Sequence, residues 1–443
     1  MDVSLTRRAP EPSQGDGSRF VTGCLFLSLV ILTWTGVGNP AVAGMLGLLL
    51  CAAGCTLPEA RADLRFLIPL VLYNLFSLAA SLAVYRNTVD GYASTQMLFP
   101  LLYLLLASLE DTGLLRRLCA LWTGCAAAYG IVRFVLEALQ GRTGRLDGFL
   151  GNPNAMGIFL VLGWFALLGG SRSWLEHLEP LLLAALGLTL SMGSFLALAA
   201  GILALVLLEP QGRFRRACLL LAKCTLGIGV GLLLYLAAAR TGQSWACLPV
   251  AAYLLALVLG WRSLCRFLDA PRTAALAAAG TLVALAAILA RPSAVATFAE
   301  RLEMMASARK YLTVNPLLGV GPYRWRLLDL EDGGTYFNTW HIHNLFLHTA
   351  VEMGWPALAA LVLAALRTFR KAPEAPRLAA CTAFLVHNLI DTSFFYLGVT
   401  ALVLLTAARP QEGGRRLSGT TLKILCGAAS VFFACNLFLI FTA

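Results

Sequence analysis

Charge is what this sequence has least of. Only 13% of its 443 residues are Asp, Glu, Lys or Arg, while 59% are hydrophobic, and a globule built from such a chain would have too little polar surface to face water. That excludes an ordinary soluble enzyme. It also excludes nucleic acid as a partner, because the net charge of +11 has no soluble basic domain to sit on. The one long polar stretch, residues 291–342, contains no cysteine, so it offers neither a disulfide nor a metal knuckle. The twelve cysteines, for example Cys51 and Cys55, Cys119 and Cys125, Cys426 and Cys435, lie in or beside apolar runs and read as small packing residues. A zinc-ligand spacing is missing too: His341, His343, His348 and Glu352 match no standard pattern, and neither metal nor cofactor is expected.

What the chain does have is apolar runs of about 17 to 25 residues, the length of a bilayer's hydrocarbon core. They predict an all-α polytopic integral membrane protein of about 11–15 membrane helices. Residues 1–19 form a cytoplasmic tail, 20–290 a transmembrane bundle, 291–342 a long extracytoplasmic loop with short helices, and 343–443 the C-terminal membrane helices. Arg7, Arg8 and Arg19 precede the first run and Ala41-Val42-Ala43 loosely resembles a cleavage site. Further hydrophobic runs follow at once, which predicts an uncleaved anchor.

Basic residues orient the runs. With the N-terminus inside, Arg61 and Arg65, then Arg116 and Arg117, then Arg172 fall in cytoplasmic loops, as positive-inside topology requires. Two runs, 180–208 and 378–408, are longer than one span needs, and each has basic residues on both flanks: Arg172 and Arg213 for the first, Arg377 and Arg409 for the second. Both must return to the side they left. They are therefore expected to be bent helix pairs, turning near Ser191-Met192-Gly193-Ser194 and Asp391-Thr392-Ser393, in backbone that only protein or a wet cavity can cover. The topology then gathers Arg142, Arg145, Asn152, Asn154, His387, Asp391 and the long loop near the external face.

Candidate chemistry follows from that gathering. His343 opens a membrane helix beside Asn344, close to a cluster of arginines, and a neutral imidazole is the usual general base near pH 7. His341 and His348 have two readings, as interfacial anchors of a helix end or as members of a site. Glu352 lies one helical turn beyond His348, on the same face. Arg291, Arg301, Arg309, Arg324 and Arg326 are external arginines that topology does not need; they either meet anionic headgroups or grip a lipid-linked diphosphate. Arg133 and Glu137 are spaced for an i,i+4 ion pair inside a span, with a ligand-facing role as the alternative. Asp391 with His387 and Asn388 is expected to line a cavity. Gly319 and Gly321 allow a sharp turn that brings backbone N–H groups toward a ligand.

At these residues the chain resembles the O-antigen ligase and polymerase superfamily, membrane glycosyltransferases that use undecaprenyl-diphosphate-linked glycans. Arg301, the stretch Asn315-Pro316-Leu317-Leu318-Gly319-Val320-Gly321, and His343-Asn344 with Glu352-Met353-Gly354 are similar to that family's long external loop and following helix. The stretch from Gly144-Arg145 to Asn152-Pro153-Asn154 is similar to an earlier loop. Together with the order of spans the likeness covers most of the chain. In one departure Met192 stands where family members usually carry an Arg, so that Arg145, Arg291 or Arg301 takes its place or the donor differs. The resemblance implies an inverting, metal-independent transfer on the outward face of a bacterial inner membrane. His343 would take a proton from a glycan, lipid or lipid A-core acceptor. Arg145, Arg291, Arg301, Arg309, Arg324, Asn344, Glu352 and Asp391 would line the substrate site among membrane lipids. A secondary transporter built on the bent helices is the rival reading, and a non-catalytic scaffold in envelope assembly a third.

Overall fold

An apolar run in hydrocarbon has no water to satisfy its N–H and C=O groups, so helix is the form available to it. The computed structural model makes the apolar runs helical apart from short breaks, and describes residues 14–169, 173–208, 212–240, 244–268, 270–289, 292–370, 374–409 and 414–442. The first half runs α1 (Gln14–Trp34), α2 (Pro40–Cys55), β1 (Glu59–Ala62), α3 (Leu64–Tyr85), α4 (Ala93–Gln96), α5 (Leu98–Leu106), α6 (Gly113–Leu139), α7 (Pro153–Leu168), α8 (Glu179–Thr189) and α9 (Met192–Leu208). Then follow α10 (Arg213–Arg240), α11 (Cys247–Phe267), α12 (Ala270–Leu289), α13 (Pro292–Arg309), α14 (Trp325–Glu331), α15 (Leu345–Arg370), α16 (Ala375–Asn388), α17 (Leu397–Ala407), β2 (Arg415–Ser418) and α18 (Gly419–Thr442). Among the described residues seven helices (α1, α3, α6, α10, α11, α15 and α18) are long and apolar enough to cross a membrane, and shorter apolar helices accompany them. The chain is an all-α, multi-pass membrane protein.

One end of the bundle is knitted by charge. β1 pairs antiparallel with β2, and Arg61 N donates to Ala107 O beyond α5. Arg367 at the end of α15 meets the buried Asp63 at 2.6 Å. Glu374 accepts Arg116 at 3.0 Å and Arg377 at 2.8 Å, and also pairs with Arg409. These are arginines that positive-inside topology assigns to one side. Removing one partner of the buried Asp63–Arg367 pair would cost far more than breaking an exposed pair.

Both long runs are broken at the opposite end. The first stops at Thr189, passes through Leu190 in a left-handed conformation (φ 49°), and restarts at Met192. The second leaves its helix at Asn388 and resumes at Leu397 after a short 3₁₀ turn that opens at Ser393. The two breaks meet. His387 lies between Ser194 Oγ at 3.4 Å and Ser393 Oγ at 3.0 Å, while Asn388 donates to Phe384 O and Ser393 Oγ and accepts from Phe394 N. His387 and Asn388 are fully buried. Their polar atoms hold one turn against the other, which corrects the expectation that they line a cavity. Of that trio only Asp391 faces the site.

The long loop is built into a break in α15. Gly354 (φ 84°) interrupts that helix just before Pro356, whose ring cannot continue the hydrogen-bond ladder. The carbonyls freed at the break are taken up by the loop: Val320 N donates to Val351 O at 2.8 Å and Gly321 N to Glu352 O at 3.1 Å, while Trp355 N donates back to Pro316 O at 2.9 Å. A Cβ on Gly319 would overlap the Glu352 carbonyl carbon, and one on Gly354 the Leu317 carbonyl oxygen. The amides at 320 and 321 thus aim at a broken helix instead of at a ligand, contrary to the expectation from the glycine pair.

Candidate functional site

Asp391 is the hub. It sits in the break after α16 with 5% of its surface exposed. Its Oδ2 accepts from Asn154 Nδ2 at 2.9 Å and from Arg301 at 3.3 Å, and its Oδ1 accepts from Thr392 N at 2.8 Å. Arg301, on α13, also donates to Ile390 O at 2.6 Å, and its Nε is buried without a partner among the described residues. Asn154 in turn accepts from Arg145 at 2.8 Å, whose Nε reaches Thr189 O at the end of α8. Arg145, Asn154, Asp391 and Arg301 therefore form one hydrogen-bonded chain across α7, α8, α13 and the α16–α17 break. That chain brings two guanidinium groups to one carboxylate, and guanidinium forks suit an anion.

His343 faces the same carboxylate. Its Nδ1 lies 3.7 Å from Asp391 Oδ1, slightly beyond hydrogen-bond length, and has no other partner among the described residues. Asn344 fixes the neighbouring backbone: its Oδ1 accepts from Leu347 N at 2.9 Å, and its Nδ2 donates to Leu389 O at 3.0 Å. An Nδ1–H turned toward Asp391 leaves the Nε2 lone pair available to take a proton. Bonds of this kind tighten when substrate arrives.

Compared with known proteins, the chain matches no family model and no curated protein. What the site can do is read from its geometry.

Glu352 occupies a second cluster, fully buried. Its carboxylate accepts from Tyr92 Oη at 2.7 Å, Tyr323 N at 2.7 Å and Trp325 N at 3.3 Å. His348 Nδ1 accepts from Ile342 N at 3.3 Å, so its Nε2 carries the proton that Tyr92 Oη receives at 2.8 Å. Glu352 thus clamps the loop at 323–325, and His348 clamps the residue before His343. His348 and Glu352 do share a helical face, as their spacing requires, but Tyr92 bridges them. Among the described residues no three His, Cys, Asp or Glu side chains converge as metal ligands. His341 packs its ring 4.8 Å from that of Phe395 and 5.2 Å from that of His348, and burial pushes its imidazole down to about 4.

The structure brings together His343, Asn344, Asp391, Arg301 and Arg145. Arg324 stands apart at the Glu352 clamp, Arg309 is exposed at the end of α13, and Arg291 lies outside the described residues. Arg133 makes the expected pair with Glu137 at 2.7 Å and adds Asp147 at 3.1 Å. Sequence reasoning misses Tyr92, a lone tyrosine at the start of an apolar run. It gathers Asn154 with the other polar residues, but the bridge from Arg145 to Asp391 depends on helices far apart in the chain.

Proposed function

We propose that this chain is a membrane glycosyltransferase of the O-antigen ligase or polymerase type, acting on undecaprenyl-diphosphate-linked glycan at the extracytoplasmic face. The observation that carries the reading is His343 Nδ1 set 3.7 Å from Asp391 Oδ1 in the same cluster as Arg301 and Arg145. Asp391 orients the imidazole and stabilises the imidazolium that forms. His343 Nε2 takes the proton of the acceptor hydroxyl as that oxygen attacks the anomeric carbon, and the bond to the diphosphate breaks with inversion. The arginines offset the charge that grows on the leaving lipid diphosphate. Arg145 reaches the carbonyl of Thr189, beside the turn that holds Met192, and so is suited to supply the guanidinium that the family resemblance leads one to look for at 192.

An apolar cavity of about 100 Å³ supports a lipid-linked substrate. Its lining runs from Leu345 and Phe394, near the His343-Asn344 pair, to Phe66, Thr368 and Ala408 beside the Asp63–Arg367 pair. It is smaller than the ~150 Å³ cavity that takes benzene, which is room for a few carbons of an isoprenoid chain.

The test is to supply purified protein in nanodiscs with lipid-linked oligosaccharide and an acceptor. Release of undecaprenyl diphosphate that is lost in both His343→Ala and Arg301→Ala supports the reading. The facing helix breaks of α8–α9 and α16–α17 favour a second one, secondary transport; uptake of the glycan into liposomes with its lipid linkage intact would establish that instead.

A further inference from the structure

The long loop carries a second cationic feature, apart from the Asp391 cluster. Arg326 on α14 lies between two aromatic rings, its guanidinium carbon 4.6 Å from the Tyr336 centroid and 4.7 Å from that of Trp340. Both distances are within cation–π range. Among the described residues it has no hydrogen-bonding or ion-pair partner, and its Nε is buried and unsatisfied. Two acids close to it in the chain are held elsewhere: Asp332 accepts from Tyr311 Oη at 2.6 Å, and Asp329 Oδ1 pairs with Lys310 at 2.9 Å. The outer parts of the platform are open, with Tyr336 63% and Trp340 47% exposed.

We propose that Arg326, Tyr336 and Trp340 form a subsite for an acidic saccharide, a sugar bearing a carboxylate or phosphate, and that this sugar belongs to the acceptor; the inference rests on the transferase reading above. The fork of Arg326 matches a carboxylate or phosphate, and the exposed ring surface offers a flat apolar face to the C–H side of a sugar ring. Placement agrees. Trp340 is three residues from His343, so the two α-carbons are no more than about 11 Å apart, within the reach of a short oligosaccharide. Trp325 Nε1 donates to Trp340 O at 3.0 Å and holds that backbone in place.

A membrane-anchoring belt is the competing use of exposed aromatics. The strip disfavours it: Phe337, the most apolar side chain between Glu331 and Trp340, is turned inward with 2% exposure, while the polar Thr335 and Asn338 are exposed and gain nothing from entering a bilayer.

The experiment uses full-length protein in nanodiscs with no lipid-linked donor, titrated with trigalacturonate and with its carboxyl-reduced counterpart. The acid is expected to bind about tenfold tighter than the reduced sugar. Arg326→Gln should erase that preference, and Trp340→Ala should weaken both sugars. Equal affinity for the two sugars, or a preference that survives Arg326→Gln in a variant with wild-type thermal unfolding, overturns the proposal. So does quenching by brominated phospholipid of the fluorescence that Trp340→Phe removes, which would seat the ring in the membrane. Binding is read without transfer, so its failure leaves the transferase reading standing, and a protein that binds the acid without transferring glycan sinks that reading and the acceptor assignment while the acid-binding subsite stands.

Discussion

Replacing Asp391 by Asn changes one atom and tests the hub. The carboxylate faces four donors: Asn154 Nδ2, Arg301, Thr392 N and, at 3.7 Å, His343 Nδ1. An amide of the same shape accepts at only one of its two ends. If its oxygen keeps Thr392 N and His343, its NH2 meets the donors of Asn154 and Arg301; the opposite flip turns a donor toward the imidazole. Either way at least one hydrogen bond to a charged group is lost in a buried setting, worth about 1.5–3 kcal/mol, or roughly 10- to 150-fold in rate if it is made in the transition state. The variant also frees Arg301 for an anion, so KM for the lipid-linked donor should hold or fall while kcat drops. The assay is undecaprenyl diphosphate release by protein matched to wild type in gel-filtration profile. A kcat within about twofold of wild type would refute the hub's role.

Glu352→Gln should lower thermal stability and loosen the loop, because one end of the amide would point a donor at the backbone N–H groups of 323–325; the cost is about 1–3 kcal/mol, read as a lower unfolding temperature in detergent and faster proteolysis of the loop. Gly319→Ala should be at least as damaging, since a left-handed position costs about 1–2 kcal/mol before the overlap with Glu352 is counted; an unchanged melting temperature would contradict the packing described. His341 titrates below its usual 6.5, at about 4 when folded, so between those values the unfolded chain binds a proton the folded chain does not. Stability due to this residue is fully present above about pH 6.5 and is lost as pH falls toward 4, by up to about 3 kcal/mol. The stability difference between wild type and His341→Gln should therefore move against wild type as pH falls across that window, and a difference independent of pH would refute it.

The membrane architecture is legible because hydrophobic length and arginine placement are written directly in the chain. Arg172, Arg213, Arg377 and Arg409 lead one to expect that two runs double back, and their helices break at Leu190 and after Asn388. Part of the candidate site is legible for the same reason, since topology puts Arg145, Arg301, His343 and Asp391 at one end. Direction is not. Glu352 shares a face with His348, but spacing alone does not say whether that face meets substrate or the protein's own loop, and here it takes the amides of 323–325. Gly319 and Gly321 mislead in the same way: their freedom serves a close backbone approach to α15. Tyr92 gives no signal, because one tyrosine beside an apolar run looks like any interfacial aromatic until the fold sets it between His348 and Glu352.

Chemical rescue tests the central claim most directly. In His343→Gly, transfer of glycan from lipid-linked donor to acceptor should fall by about 10²–10⁴-fold, and imidazole added to the buffer should restore part of it in proportion to its concentration. Turnover by His343→Gly at the wild-type rate would contradict the account.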